Sequence, residues 1–352
     1  MCKDKLKEIV QNFNIDSPVE AIVPFGNGNI NTTFKITLES KKSYILQKIN
    51  KYVFKQPEDV VENITRVIDY IGSYELSFIK TKDNKNFYLD DDNEYYRMYK
   101  FIESSTTYDK TDNQEIIYNA GKAFGSFIKK LDSYPVYNLH TTIKDFHNTK
   151  KRYDDLINAF NNSSCKENKL IKGIVEELLS FKDIATRLSI LEEKQQIKTR
   201  VIHNDTKLNN VLFDANSNNY ICVIDLDTIM EGLIAYDYGD ALRSIASTED
   251  ETSIDFQNIH IDLEKTKSFT KGFISETKNI LTKEEKESLI YGVISMPVEL
   301  SLRFLTDYLL GNPYFKIKYQ NQNLDRCLNQ LYLAKDILKN INSIKKIIEE
   351  KQ

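Results

Sequence analysis

The spacing of hydrophobic positions changes character about a third of the way along the chain. In VEAIVPFGNGNINTTFKITLESKKSYILQKIN (19–50), β-branched and aromatic residues fill short runs separated by Gly, Asn and Ser. This predicts three strands joined by a Gly-Asn turn and a Lys/Ser turn. Before them, MCKDKLKEIVQNF reads as an amphipathic helix with Leu6, Ile9, Val10 and Phe13 on one face. After them, Val60, Val61, Ile64, Val67, Ile68 and Ile71 recur at helical spacing, with Pro57 near the start and Gly72 at the stop. NKNFYLDDDNEYYRMYKFIE (84–103) then reads as a hairpin turning on its acidic centre.

From about residue 104 the period is helical. Ile116, Ile117, Ala120, Phe124, Phe127, Ile128 and Leu131 mark one helix, and ENKLIKGIVEELLSFKDIATRLSILEEKQQ (167–196) predicts one long amphipathic helix. Two short strands, RVIH (200–203) and NNYICVIDLD (218–227), interrupt the pattern. Long helices follow over 286–310 and 328–350, with Pro297 set to bend the first or start a new one. The expected layout is α+β: a β-rich lobe over residues 1–100 and a mainly helical lobe over 101–352. A ligand site between such lobes is the default expectation.

Composition narrows the function without choosing it. The chain has 352 residues, enough for two lobes and for burying roughly three-quarters of the unfolded surface. A net charge of −4 and a pI of about 5.8 give no basic stripe for nucleic acid. Cys2, Cys165, Cys222 and Cys327 form no metal or disulfide pattern, which points to free thiols in a reducing cytoplasm. The charged N-terminus is not a signal peptide, and no run approaches the roughly 18 apolar residues of a membrane span. The expectation is a soluble cytoplasmic protein, a monomer, with neither membrane nor nucleic-acid partners.

Chemistry concentrates in TRVIHNDTKLNNVLFD (199–214). Asp205 follows a strand end and can reach a substrate hydroxyl from its loop. Asn210 lies five residues later, and Asp225 closes the next strand. An amide oxygen and a carboxylate are hard ligands that suit Mg²⁺ bound to phosphate oxygens. Lys207 is placed to neutralise a transferring phosphoryl group, while His203 is left to prop the loop. A polar loop with Asp205 and Asn210 as turn formers is the alternative. The H-x-D-x-x-x-x-N pattern gains specificity from its order in the chain, after a glycine turn, a third strand and a helix.

VIHNDTKLNNVLFD, VIDLDTIM and YDYGDALR resemble the aminoglycoside phosphotransferase/choline kinase superfamily. With FGNGNINTTFKI, YILQKIN, YKFIE and LRFLTDYLLGNPYF in order, the chain from about residue 20 to 320 is similar to the N-acetylhexosamine 1-kinases within it. The resemblance implies a bilobed protein-kinase-like fold, ATP and Mg²⁺. It also implies phosphorylation of the anomeric hydroxyl of N-acetylglucosamine or N-acetylgalactosamine, a step of carbohydrate metabolism. Asp205 would be the catalytic base, Lys207 would contact the γ-phosphate, and Asn210 and Asp225 would hold the metal. Gly26, Gly28, Thr32 and Thr33 would cover the phosphates.

One position departs from the usual kinase pattern, in which the third strand carries a phosphate-pairing lysine. Gln47 follows the aliphatic run here, with Lys48 next. Side chains alternate along a strand, so only one of them can face the cleft unless a bulge intervenes; the resemblance favours Gln47. Glu62 then loses its expected lysine partner and reads as a solvent-facing helix residue. For the acceptor, the resemblance points Arg303 toward sugar hydroxyls, an ion pair to Glu299 at i−4 being the bland alternative. Asn29, Asp227 and Tyr319 are further substrate candidates, and Asp227 could instead anchor the metal loop. Asp237 and Asp240 read as structural. The alternatives are a kinase of the same fold acting on another sugar, an amino alcohol or an aminoglycoside, a nucleotide-binding pseudokinase, and a metal-dependent phosphohydrolase.

Overall fold

The computed structural model describes residues 3–26 and 30–350. Alternating burial along Thr32–Leu38 and Ser43–Lys48 shows why these segments pair. Each strand turns one row of side chains to a packed face and the other toward the cleft. Strands β1 (Val19–Pro24), β2 (Thr32–Leu38), β3 (Ser43–Lys48), β4 (Tyr88–Leu89) and β5 (Tyr95–Lys100) form one antiparallel sheet in the order β1-β2-β3-β5-β4. Helix α1 (Lys3–Val10) closes its far face: Leu6, Ile9, Val10 and Phe13 pack with Phe34, Ile36, Leu46, Tyr96 and Met98.

The other face looks into the rest of the protein. Helix α2 (Pro57–Ile71) starts at its proline and ends on Gly72, whose left-handed φ of 71° favours glycine. Its buried row, Val60, Val61, Ile64 and Val67, joins the large core cluster of the helical lobe, as do Ile49 and Tyr99. The hydrophobic core therefore runs through the lobe junction, and only the α1 face forms a separate cluster.

Strand β6 (Ser105–Thr106) continues from the upper lobe and pairs with β8 (Val211–Asp214), which pairs with β9 (Tyr220–Val223). The sequence predicted only two strands here. Strand β7 (Arg200–Ile202) pairs instead with β10 (Met230–Gly232), a segment whose three residues are too few to show a period. Helices α3 (Gln114–Lys130) and α4 (Thr149–Asn162) precede these strands. The predicted long helix over 167–196 is three pieces: α5 (Lys169–Ser180), α6 (Lys182–Ala185) and α7 (Arg187–Glu193). The breaks fall at Phe181 and Thr186, so that Phe181, Ala185 and Leu188 all reach the core.

Helices α8 (Ile234–Ile245), α9 (Leu263–Thr277), α10 (Lys283–Leu309), α11 (Gln322–Lys339) and α12 (Ile341–Glu349) complete the lobe. Helix α10 begins on a Thr282–Glu285 capping box and runs unbroken through Pro297. It is long and apolar enough to cross a membrane by composition, contrary to the expectation from the sequence, but 78% of that window is buried inside the protein. Arg200 links the start of β7 to α10 through a two-pronged contact with Glu285 at 2.6 and 2.9 Å.

Glycines let α8 lie against α10. A Cβ at Gly239 would strike the backbone of Gly292, and a Cβ at Gly292 would strike Ala235. Gly173, on the exposed side of α5, has open space instead. Gly239→Ala should therefore cost about 1–3 kcal/mol of stability by overpacking. Gly173→Ala should add about 0.5–1 kcal/mol through lower unfolded-state entropy. Urea unfolding of the two variants checks this; similar midpoints would show that the α8–α10 contact relaxes freely.

Candidate active site

The loop after β7 is held by the start of α8. The backbone N–H groups of His203 and Asn204 donate to the Asp237 carboxylate at 2.8 and 2.7 Å. The Thr206 N–H donates to Asp240 at 2.9 Å, and Arg243 fixes Asp240 in turn. Burial pushes the Asp237 carboxyl up to about 6, against the pull of the two backbone donors. Asn204 sits at a φ of 66° and its side chain donates to the Thr228 carbonyl at 3.0 Å. Asparagine tolerates this left-handed conformation better than most residues. Asn209 donates to Asp109 at 2.9 Å, tying the loop to the segment that joins the lobes.

His203 is wholly buried and spans the site. Its Nδ1 accepts from the Asp205 N–H at 3.2 Å, and its Nε2 lies 2.9 Å from the Ile224 carbonyl. Those partners assign the proton to Nε2 and a neutral ring. The ring thus ties the Asp205 loop to the end of β9, the propping role expected for it.

Asp205 and Asn210 meet directly. The Asn210 amide donates to the Asp205 carbonyl at 2.8 Å and to its carboxylate at 3.0 Å. Both amide hydrogens are then used, which leaves the Asn210 oxygen as a ligand atom. Lys207 Nζ stands 2.8 Å from the Asp205 carboxylate. Burial opposes ionisation of Asp205, but the Lys207 charge and hydrogen bond outweigh it and hold the carboxyl below its ordinary value. Asp205 in turn raises the Lys207 pKa.

Asp225 stands at the end of β9 with φ 58° and ψ 55°, a left-handed conformation rare outside glycine. Its surface opens on the cleft, yet protein crowds it on the other sides. Desolvation, then the charges of Asp227 and Asp205, push its carboxyl up to about 6. Among the described residues its carboxylate has no hydrogen bond or ion pair. An unneutralised carboxylate beside two others, facing an amide oxygen, is a donor set that fits a hard divalent cation.

Above the loop lies a cleft of about 300 Å³. Ile45, Leu76, Leu212 and Ile224 give it apolar walls, and Gly26, Thr33, Gln47, Asn210 and Asp225 bring polar groups to it. Gly26 has a φ of 74°, which glycine adopts without strain. Gly28 and Asn29 lie outside the described residues. Strand alternation separates the remaining upper-lobe candidates. Thr33 and Gln47 are cross-strand partners on the cleft face, and Gln47 Nε2 donates to Thr33 Oγ1 at 3.2 Å. Thr32 pairs with Lys48 on the opposite face, so the expectation that both threonines meet phosphate is corrected to Thr33. Lys48 is engaged with Glu94 at 3.3 Å. Glu62 turns to Arg66 and His140, away from the cleft.

Two substrate candidates are also relocated. The Asp227 carboxylate accepts from Asn31 at 2.7 Å and meets Arg97 at 2.5 Å. It therefore links the lobes instead of standing open to an acceptor. Tyr319 is exposed on the loop after α10, and its hydroxyl donates to Asp325 at 2.9 Å.

Arg303 makes no ion pair with Glu299. The Glu299 carboxylate is taken by His147 at 3.0 Å and Thr149 at 2.8 Å. Instead the Arg303 guanidinium lies over Phe146 and Phe315 at 5.5 Å and over Tyr314 at 6.0 Å. No described residue accepts a hydrogen bond from it. Burial and the charge of Arg152 lower its pKa, and Glu299, Tyr314 and Glu251 oppose them.

Arg97 is the site residue that the sequence reading missed. It is 1% exposed, sits opposite Gln47 across β3 and β5, and lines the cleft. Its signal was an arginine in an apolar strand, one strand over from the missing lysine.

A β-rich lobe above a helical lobe, joined by a strand and carrying an acidic loop in the cleft, is the protein-kinase-like architecture of small-molecule phosphotransferases. A profile of the phosphotransferase enzyme family (APH) matches residues 21–260, and the chain belongs to that family. Solved structures agree on the fold. A microcompartment-associated aminopropanol kinase is 14% identical, covers 97% of this chain and 98% of its own, and superposes with a TM-score of 0.69. A choline kinase from Cryptosporidium parvum Iowa II is 14% identical, with 97% of each chain covered and a TM-score of 0.62. An amicoumacin kinase in complex with AMP-PNP, Ca²⁺ and its antibiotic is 14% identical, with 97% of this chain and 93% of its own covered and a TM-score of 0.59. The chain is thus a member of the phosphotransferase enzyme family whose fold is shared with these small-molecule kinases.

The crowding at Asp225 has a measurable sign. Its raised pKa means that the folded state holds the proton more tightly than the unfolded chain, so its contribution to stability falls as pH rises from about 4 to about 6. Asp225→Asn keeps the shape and tolerates the left-handed backbone but cannot ionise. The melting temperature of the variant relative to the parent should climb over that range and level off above it. A flat difference from pH 4 to 7 would contradict the crowding.

Proposed function

We propose that the protein transfers the γ-phosphoryl group of ATP, with Mg²⁺, to the anomeric hydroxyl of an N-acetylhexosamine, making the sugar 1-phosphate. The observation that carries the acceptor is Arg303, a guanidinium held among aromatic rings and engaged in no ion pair among the described residues. A desolvated cation with free donors favours neutral, oxygen-rich molecules and opposes cationic ones. Amino alcohols, on which the aminopropanol and choline kinases act by name, carry the charge this wall repels.

The cleft supports the donor side. Its apolar walls suit a purine, and the neighbouring amicoumacin kinase holds AMP-PNP and Ca²⁺. Asn210 and Asp225 would hold Mg²⁺, which when bound neutralises charge on the phosphate oxygens. Asp205 is kept ionised by Lys207 and aimed by His203 and Asn210. With a depressed pKa it is a weak base. It therefore orients the acceptor hydroxyl and takes its proton late, as a loose phosphoryl transfer allows. An anomeric hydroxyl is more acidic than an ordinary alcohol, because the ring oxygen withdraws electrons, and so suits a weak base. Lys207, held beside Asp205, would supply positive charge to the transferring group.

The test is ATP consumption with N-acetylglucosamine, N-acetylgalactosamine, glucose, ethanolamine and choline. The acetylated sugars should be turned over best, with sugar 1-phosphate as product. Faster turnover of choline or ethanolamine would sink the acceptor reading and favour an amino-alcohol kinase. Asp205→Asn should lower kcat by about 10²–10⁴-fold with little change in melting temperature. Arg303→Met should raise KM for the sugar by about 10–100-fold, the worth of one or two charge-assisted hydrogen bonds, and change kcat less. An unchanged sugar KM would remove Arg303 from the acceptor site.

A further inference from the structure

The third strand of this kinase-like sheet carries Gln47, not a lysine, on its cleft face, and a buried arginine stands beside it. Arg97 on β5 is the register partner of Gln47 on β3, and both line the nucleotide cleft. Gln47 Oε1 accepts from Arg97 Nε at 3.0 Å and from Nη2 at 2.8 Å. Gln47 Nε2 donates on to Thr33, so a polar row crosses β2, β3 and β5 on the cleft face. A lysine at position 47 would repel Arg97, whereas the glutamine carbonyl receives two of its donors. The two residues together read as one device in which the positive charge has moved one strand over.

The protein leaves part of the guanidinium unused. Arg97 Nη2 is ion-paired with Asp227 at 2.5 Å. Arg97 Nη1 is buried with no hydrogen-bond partner among the described residues. A buried, unsatisfied guanidinium nitrogen is costly and calls for a ligand or a water. The Asp225 carboxylate is close enough to act on Arg97 electrostatically, so the arginine stands beside the acid expected to meet the metal.

We propose that Arg97 is the phosphate-binding cation of the nucleotide cleft, supplied from β5 in place of a lysine on β3, and that Gln47 is its positioning residue. The ligand class is a nucleoside di- or triphosphate, and the proposal rests on the ATP reading given above. Arg97 also closes the lobes on each other through Asp227, so the same residue senses the phosphate and ties the upper lobe to the metal loop. With Nε and Nη2 committed to Gln47 and Asp227, Nη1 is the donor left for a phosphate oxygen.

Calorimetric titration of the full-length protein with ADP and with adenosine tests this, with thermal melts as a control. Arg97→Gln should weaken ADP by about 10–100-fold, the worth of one charge-assisted contact, and adenosine by less than about twofold. Adding Gln47→Lys to that variant should restore ADP affinity to within about fivefold of the parent, because a lysine then occupies the usual strand position. Gln47→Met alone should lower ADP affinity by a smaller factor and leave adenosine unchanged. If Arg97→Gln does not fold, Arg97→Lys carries the test and should show a selective loss of ADP of about 3–10-fold. An equal loss of ADP and adenosine, or no loss of either, would overturn the role of Arg97 while leaving the nucleotide reading intact. A parent protein that binds no ADP would overturn both.

Discussion

The buried carboxylate of Asp237 is the contact on which the site depends. It gathers the N–H groups of His203 and Asn204, and without an acceptor there two donors would be stranded in the interior. Once that grip is set, the loop has little freedom. Asn204 takes a left-handed turn, His203 points at the end of β9, and Asp205 emerges facing Asn210 and Lys207. Burial raises the Asp237 pKa, so the loop is bought with a real electrostatic cost that two backbone hydrogen bonds offset. Gly239 and Gly292 belong to the same scheme, because the close approach of α8 to α10 fixes where that carboxylate stands.

A second buried charge does for the lobes what Asp237 does for the loop. Arg97 belongs to the sheet and Asp227 to the segment after β9, and their contact crosses the cleft. Around it the acids are unevenly matched. Asp205 has Lys207 and stays ionised; Asp227 has Arg97 and Asn31; Asp225 has no partner among the described residues, and its pKa is pushed up to about 6. Three carboxylates in one small region with different neighbours give three different tasks. The one left unneutralised is the one whose oxygen is available to a metal ion.

Much of this could be read from the chain. The strand and helix periods located β1–β3, α2 and the hairpin of β4 and β5, because these elements bury one regular row each. The loop order placed Asp205, Lys207, Asn210 and Asp225 in one neighbourhood, since the first three lie in the loop between β7 and β8 and the last just after β9. Alternation also decided that Gln47 and Lys48 face apart, and the same rule separates Thr32 from Thr33. The long apolar run of 167–196 was less legible. A helical period continues through Phe181 and Thr186, and only packing shows that the chain turns there.

By itself, then, the sequence determined the kinase-like order of elements and the grouping of an acid, an amide and a lysine in the loop after β7. Those depend on local spacing, which survives in one dimension. The tertiary structure decided what depends on partners distant in sequence. It gave Asn204 and Asn209 their roles in holding the loop and committed Asp227 to Arg97 across 130 positions. It also left Arg303 among aromatic rings because His147 and Thr149 had claimed Glu299. The job of a charged side chain is set by which opposite charge reaches it first, and folding alone arranges that encounter.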